Sequence, residues 1–175
     1  SKELGKAAAV FSAQVLNRAI AEKGKARLLM STGASQFDTI EALRDADVEW
    51  DKVEMFHLDE YIGLPETHPA SFRKYLKERF LSYVDIRKAH LVNPDNGVEL
   101  ALELLTREVR AGEIDLGLIG IGENAHIAFN DPPADFETKE AFLVVNLDEA
   151  CKKQQMREGW FATIEDVPKQ AISMS

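Results

Sequence analysis

One cysteine in 175 residues, Cys151, leaves no partner for an internal disulfide and excludes a multi-cysteine zinc site. Cations are also scarce. Lys and Arg number 21 against 30 Asp and Glu, for a formal net charge of −9 and a pI of about 5.0. Without a Lys/Arg-rich block, neither a nucleic-acid-binding surface nor an anionic-membrane surface is expected. No apolar run approaches the roughly 18 residues of a membrane span, and no signal peptide opens the chain, so the cytoplasm is the expected compartment. What remains, 45% hydrophobic and 29% charged residues, is the mixture of an ordinary globular domain, and the length suits one domain over residues 1–175.

Apolar spacing organises that domain. Leu4, Ala7, Ala8, Phe11, Val15 and Ile20 suit one stripe of a helix over 4–21. The short apolar run 28–30 reads as a strand, 36–46 as a helix, and 53–58 as a strand leading into Asp59-Glu60-Tyr61. Pro69 fits the first turn of a helix containing Phe72, Tyr75, Leu76 and Phe80. There follow a weak strand at 89–92, a Leu-rich helix at 98–110, a buried strand at 114–121, a long polar loop at 122–136, a strand at 142–145, a helix at 148–157 and a last strand at 171–174. Strands alternating with helices predict an α/β fold: a mostly parallel, Rossmann-like sheet with helices on both faces in three layers. Ligands of such sheets bind beyond the carboxyl ends of the strands. The chain stops in or just after a strand, so it is expected either to end on a terminal strand or to be a fragment whose exposed last strand invites aggregation.

Three strand ends carry polar groups suited to chemistry. In Ser31-Thr32-Gly33-Ala34-Ser35, free N–H groups at a helix start favour an anion, small residues let it approach, and Thr32 and Ser35 add hydroxyls. A plain turn is the alternative, because the string lacks the lysine and spacing of a P-loop. In the second string, His57 to Leu64, the adjacent carboxylates Asp59 and Glu60 point in different directions, and one facing the crevice could act as a general base, the other possibility being a capping acid. In the third, Gly120 to Pro133, an apolar strand delivers Asn124, His126, Asn130 and Asp131 in one loop. His126 is the one side chain there that titrates near neutrality, and Asp131 or Asn124 could fix its tautomer. The other histidines show no ligand spacing, so no metal site is expected, and Cys151 reads as an inert helix residue.

These strings, in this order, resemble the glucosamine-6-phosphate deaminase (isomerase) family. Leu58-Asp59-Glu60-Tyr61-Ile62-Gly63-Leu64, with His68-Pro69-Ala70-Ser71-Phe72 behind it, carries the likeness, as does Gly120-Ile121-Gly122-Glu123-Asn124-Ala125-His126-Ile127-Ala128-Phe129-Asn130-Asp131-Pro132. The sister 6-phosphogluconolactonases have a Gly-His in this loop but lack the Asp-Glu-Tyr string. The resemblance implies that Thr32, Gly33, Ala34 and Ser35 hold a sugar phosphate and that Asp59 moves a proton from C2 to C1 of the opened aminosugar. It implies that His126 assists ring opening, with Asn124 and Asp131 orienting it, and that no metal or organic cofactor is needed.

The implied partner is a small amino-sugar phosphate, with self-association into a homo-oligomer left open. The sequence departs from the family pattern in having Asn124 where Asp is frequent, Ala125 where Gly is usual, and Asp131, one methylene shorter than the usual Glu. A phosphate-binding arginine is expected near Lys152, Lys153 or Arg157, and a further C-terminal segment with a phosphate-binding lysine is absent. A lactonase, or a sugar-phosphate sensor without catalysis, are the competing readings.

Overall fold

The computed structural model describes residues 2–122, 125–131 and 133–175. Helix α1 (Lys2–Lys23) leads into β1 (Ala26–Met30), a 3-10 turn (Ala34–Gln36) and α2 (Phe37–Arg44). Then come β2 (Val53–His57), β3 (Asp59–Tyr61), the short helix α3 (Phe72–Leu76) running into a π-turn (Lys77–Leu81), β4 (Lys88–His90) and α4 (Val98–Arg110). The chain continues through β5 (Leu116–Leu118), β6 (Phe142–Asn146), α5 (Glu149–Arg157) and β7 (Gln170–Met174).

Four strands form a parallel sheet in the order β4-β2-β1-β5, and three form an antiparallel sheet in the order β3-β7-β6. Leu58 joins the two. Its N–H donates to the Met30 carbonyl of the first sheet and its carbonyl accepts from the Met174 N–H of the second. Alternation along β1 sorts the layers. Leu28 and Met30 pack with Leu16, Ile20, Ile40 and Leu43 of α1 and α2, whereas Leu29 faces the opposite side with Phe56 and Val109 of α4. Helices therefore cover both faces, as the strand–helix alternation implies. Buried Arg27 ties α4 to the sheet: it donates to the carbonyls of Glu108, Val109 and Gly112 while lying 4.4 Å over the Phe56 ring.

Three expectations from the sequence are corrected. The helix α1 packs through Gly5, Ala9, Ser12, Leu16, Ala19 and Ile20, while Leu4, Ala7 and Phe11 of the anticipated stripe face outward. The small residues decide this: a Cβ on Gly5 would stand 2.6 Å from Asp38, so α1 and α2 meet closer than a larger-residue face allows. Second, β5 is short and half-exposed rather than a long buried strand, because it is the edge of its sheet. Third, β7 is no exposed edge. It lies between β3 and β6, with Ala171, Ile172 and Ser173 fully buried.

Candidate active site

The carboxyl ends of β1, β2 and β5 open into one cavity of about 500 Å³. The first strand end contributes Ser31–Ser35, the second Leu58 and Asp59, and the third Gly120–Gly122 with His126, Ala128 and Phe129. Residues 69–72 and Tyr75 form a further wall, and Gln154, Gln155, Glu158 and Trp160 close the far side. Asp59, His126 and the loop Thr32-Gly33-Ala34-Ser35 thus share a cavity. Asn124 lies outside the described residues.

Ser31 ties two of these loops together. Its hydroxyl oxygen accepts from Gly120 N–H at 2.9 Å and from Gln36 Nε2 at 2.6 Å, and its own N–H donates to the Leu118 carbonyl. Gly33 has φ 142°, a conformation that a residue with a side chain resists, and its carbonyl accepts from the Tyr75 hydroxyl at 2.8 Å. Small residues and an anchored backbone leave Thr32 and Ser35 with hydroxyls at the cavity wall.

Pleating separates the adjacent carboxylates on β3. Asp59 faces the cavity, and no hydrogen bond joins its carboxyl to another described residue. Burial first and the Glu60 charge second push its pKa up to about 8. Glu60 turns away and is fully buried, accepting from the N–H groups of Tyr61, Phe72 and Arg73, the Ser71 hydroxyl and Arg73 Nε. Burial also raises the pKa of Glu60, and those donors oppose the rise.

The His126 loop is held from both ends. Gly122 N–H donates to the His126 carbonyl, Ile121 and Ile127 bridge, and the imidazole lies so close on Gly122 that a Cβ there would stand 2.1 Å from the ring. Beyond it, Phe129 N–H donates to Ser173 Oγ, and Asn130 Nδ2 donates to the Ile127 and Met174 carbonyls. His126 Nδ1 stands 3.2 Å from Asp131 Oδ1, so the shorter carboxylate does reach the ring. That contact favours a proton on Nδ1 and leaves Nε2 to exchange one. Ala125, at φ 65°, occupies the left-handed conformation that favours glycine.

The remaining candidates fall elsewhere. Lys152, Lys153 and Arg157 do not line the cavity, and α5 presents Gln154 and Gln155 instead, the latter accepting from the Tyr61 hydroxyl at 2.9 Å. Glu158 and Trp160, just after α5, were not expected from the sequence: the Glu158 carboxylate accepts from Gln154 Nε2 and Trp160 Nε1. Among the described cavity residues there is no Lys or Arg. Cys151 is buried with its thiol pKa pushed up to about 12 by burial, which keeps it protonated and unreactive. His57 is buried neutral, its pKa lowered to about 3, and its Nδ1 accepts from Val92 N–H. Among the described residues no group of three His, Cys, Asp or Glu could hold a metal ion.

Residues 1–158 match the family described as glucosamine-6-phosphate isomerases/6-phosphogluconolactonase. A glucosamine-6-phosphate deaminase of Shouchella clausii is 38% identical over 172 residues, 93% of this chain and 68% of that protein. One from Staphylococcus epidermidis is 36% identical over 95% of this chain and 71% of that protein. The chain spans about two thirds of the length of the curated relatives it matches. The solved structure of a monomeric glucosamine-6-phosphate deaminase superposes with a TM-score of 0.85 at 29% identity, over 99% of this chain and 72% of that one. The 6-phosphogluconolactonase of Thermotoga maritima, at 17% identity and a TM-score of 0.77, shares the fold. With its sheet order, its three strand-end loops and this sequence match, the chain belongs to the glucosamine-6-phosphate isomerase/6-phosphogluconolactonase family.

Proposed function

We propose that the cavity binds an amino-sugar phosphate and that the protein is an aldose–ketose isomerase and deaminase, converting glucosamine 6-phosphate and water into fructose 6-phosphate and ammonia. One observation carries this reading: Asp59 presents a buried carboxyl without a partner among the described residues to the same cavity that His126, backed by Asp131, lines. A carboxyl with a pKa of about 8 is matched to taking and returning a proton near neutral pH.

In this mechanism the closed sugar enters with its phosphate toward Thr32, Gly33, Ala34 and Ser35, where hydroxyls and loop N–H groups supply donors. His126 moves a proton between the ring oxygen and the anomeric hydroxyl, and Asp131 stabilises the imidazolium that forms. Asp59 then takes the C2 proton of the open aldose and delivers it to C1, while O1 gains a proton and the amino nitrogen loses one, which leaves an imine at C2. Water adds at C2, the C–N bond breaks and ammonia leaves, so the net reaction is an isomerisation coupled to hydrolysis of a carbon–nitrogen bond. The proton transfers at the ring oxygen and between C2 and C1 are thus given to His126 and Asp59. A sugar phosphate is too charged to cross a bilayer unaided, and this supports a cytoplasmic setting for the activity.

Lactone hydrolysis on the same fold needs one base to activate water and no proton moved between C2 and C1, so it does not call for both Asp59 and His126 as proton-transfer groups. The test is to offer glucosamine 6-phosphate, an isomeric amino-sugar phosphate and 6-phosphogluconolactone to the full-length protein that carries this chain. Ammonia with equimolar fructose 6-phosphate is expected. Lactone hydrolysis alone would replace the reading, and binding without turnover of any of the three would favour a sensor.

A further inference from the structure

Asp59 does not stand alone at the cavity wall. The next residue, Glu60, is fully buried behind it and reaches across to the segment that forms the neighbouring wall. One Glu60 oxygen accepts from Tyr61 and Phe72 N–H at 3.0 and 3.1 Å, and the other from Ser71 Oγ at 3.0 Å and Arg73 N–H at 2.7 Å. The carboxylate thus binds β3, which carries Asp59, to the start of α3, whose residues Ser71, Phe72 and Tyr75 line the cavity. Arg73 completes the clamp: it is buried, donates from Nε to Glu60 at 3.3 Å, and from its other nitrogens to Asn93, Asp95 and the Leu64 carbonyl.

We propose that Glu60 is a positioning residue for the proton transfer at Asp59: its clamped carboxylate fixes the base against the α3 wall and its charge sets the pH range in which the base works. This rests on the proposed role of Asp59. The charges around the base support it. Glu60 is the adjacent anion, and its partner Arg73 is shared with Asp95, so two carboxylates face one guanidinium. Asp95 is half-exposed and screened by water, whereas Glu60 is not. The other titratable groups lining the same cavity are Tyr75 on α3, His126 in the loop and Glu158 beyond α5, with Tyr61 on β3, Cys151 on α5 and Asp131 beside His126 set behind its wall. Burial keeps Tyr61, Tyr75 and Cys151 protonated, and His57 on β2, under the field of Arg73, is neutral. Glu60 is therefore the anion that bears most closely on Asp59, consistent with its effect on that carboxyl.

The experiment is a carboxyl carbon-13 NMR titration of Asp59 in the unliganded protein and in Glu60→Gln, the signal being assigned by its loss in Asp59→Asn. A downward move of about one pH unit is expected in Glu60→Gln, with the acid limb of kcat/KM following it, and a much smaller move in Asp95→Asn. An unmoved Asp59 titration in a folded Glu60→Gln protein overturns the charge role. Glu60→Asp covers the case in which Glu60→Gln does not fold. It keeps the charge but cannot span Ser71, Phe72 and Arg73 together, so kcat should fall at least about tenfold with the acid limb in place. Unchanged kcat in Glu60→Asp overturns the positioning role. An inactive protein whose Asp59 titration still moves would sink the proposed reaction, and with it the positioning role, and leave only the charge coupling of Glu60 to Asp59.

Discussion

Neighbouring carboxylates on the two faces of β3 have opposite surroundings. Glu60 is saturated by five donors, one of them from a buried guanidinium; Asp59, one residue earlier and nearly as buried, has none from the described residues. Removing a carboxylate from water without replacing its hydrogen bonds is costly, and a fold that only had to stand would not do it. The contrast separates a carboxylate that builds the site from one that is kept available for chemistry.

Asp59→Asn tests that contrast most severely. Turnover should fall by at least about 10², the lower end of what a general base contributes. Stability should move the other way. The Asp59 carboxyl binds its proton more tightly folded than unfolded, so its favourable contribution is complete below about 3.8 and is lost as pH rises through about 8. Asn carries no such loss. Thermal unfolding should show Asp59→Asn more stable than the parent at pH 8–9, by on the order of a few kcal/mol, with the gain vanishing near pH 4. Destabilisation at pH 8–9 would mean that Asp59 has a structural partner after all.

His126→Gln sharpens the comparison with the loop. It should slow reaction from the closed ring by about 10²-fold and leave an open-chain analogue little affected. Equal losses on both substrates would remove His126 from ring opening. On α1, Leu16→Ala should cost about 2–5 kcal/mol in denaturant unfolding and Phe11→Ala less than about 0.5, because the first is buried and the second faces water. Equal costs would restore the face that the sequence pattern favoured. The smallest effect belongs to Ala125→Gly, which relieves a left-handed residue and should raise stability by about 0.5 kcal/mol.

The contrast with α1 also shows what could be read from the sequence. Asp59, His126 and Asp131 were legible because each ends or follows an apolar strand, and strand ends meet at the crevice of an α/β sheet. The buried stripe of α1 is not legible in the same way, because apolar spacing gives two candidate faces and the choice rests on the close approach of Gly5 to Asp38, a contact between residues distant in sequence. The length of β5 is hidden for a similar reason: it lies at the edge of its sheet, and its pairing stops short of its apolar run. Glu158 and Trp160 carry no local signal, since they reach the cavity only through the packing of α5 over Tyr61. The Glu60–Arg73 clamp is likewise a matter of tertiary placement, its two halves being parts of different elements.

The most direct measurement follows the fate of a deuterium placed at C2 of glucosamine 6-phosphate. The full-length protein that carries this chain should transfer the label to C1 of fructose 6-phosphate or release it to water as ammonia forms. Asp59→Asn should do so at least about 100-fold more slowly. Equal rates of label loss in the two proteins would contradict the assignment of Asp59 as the base.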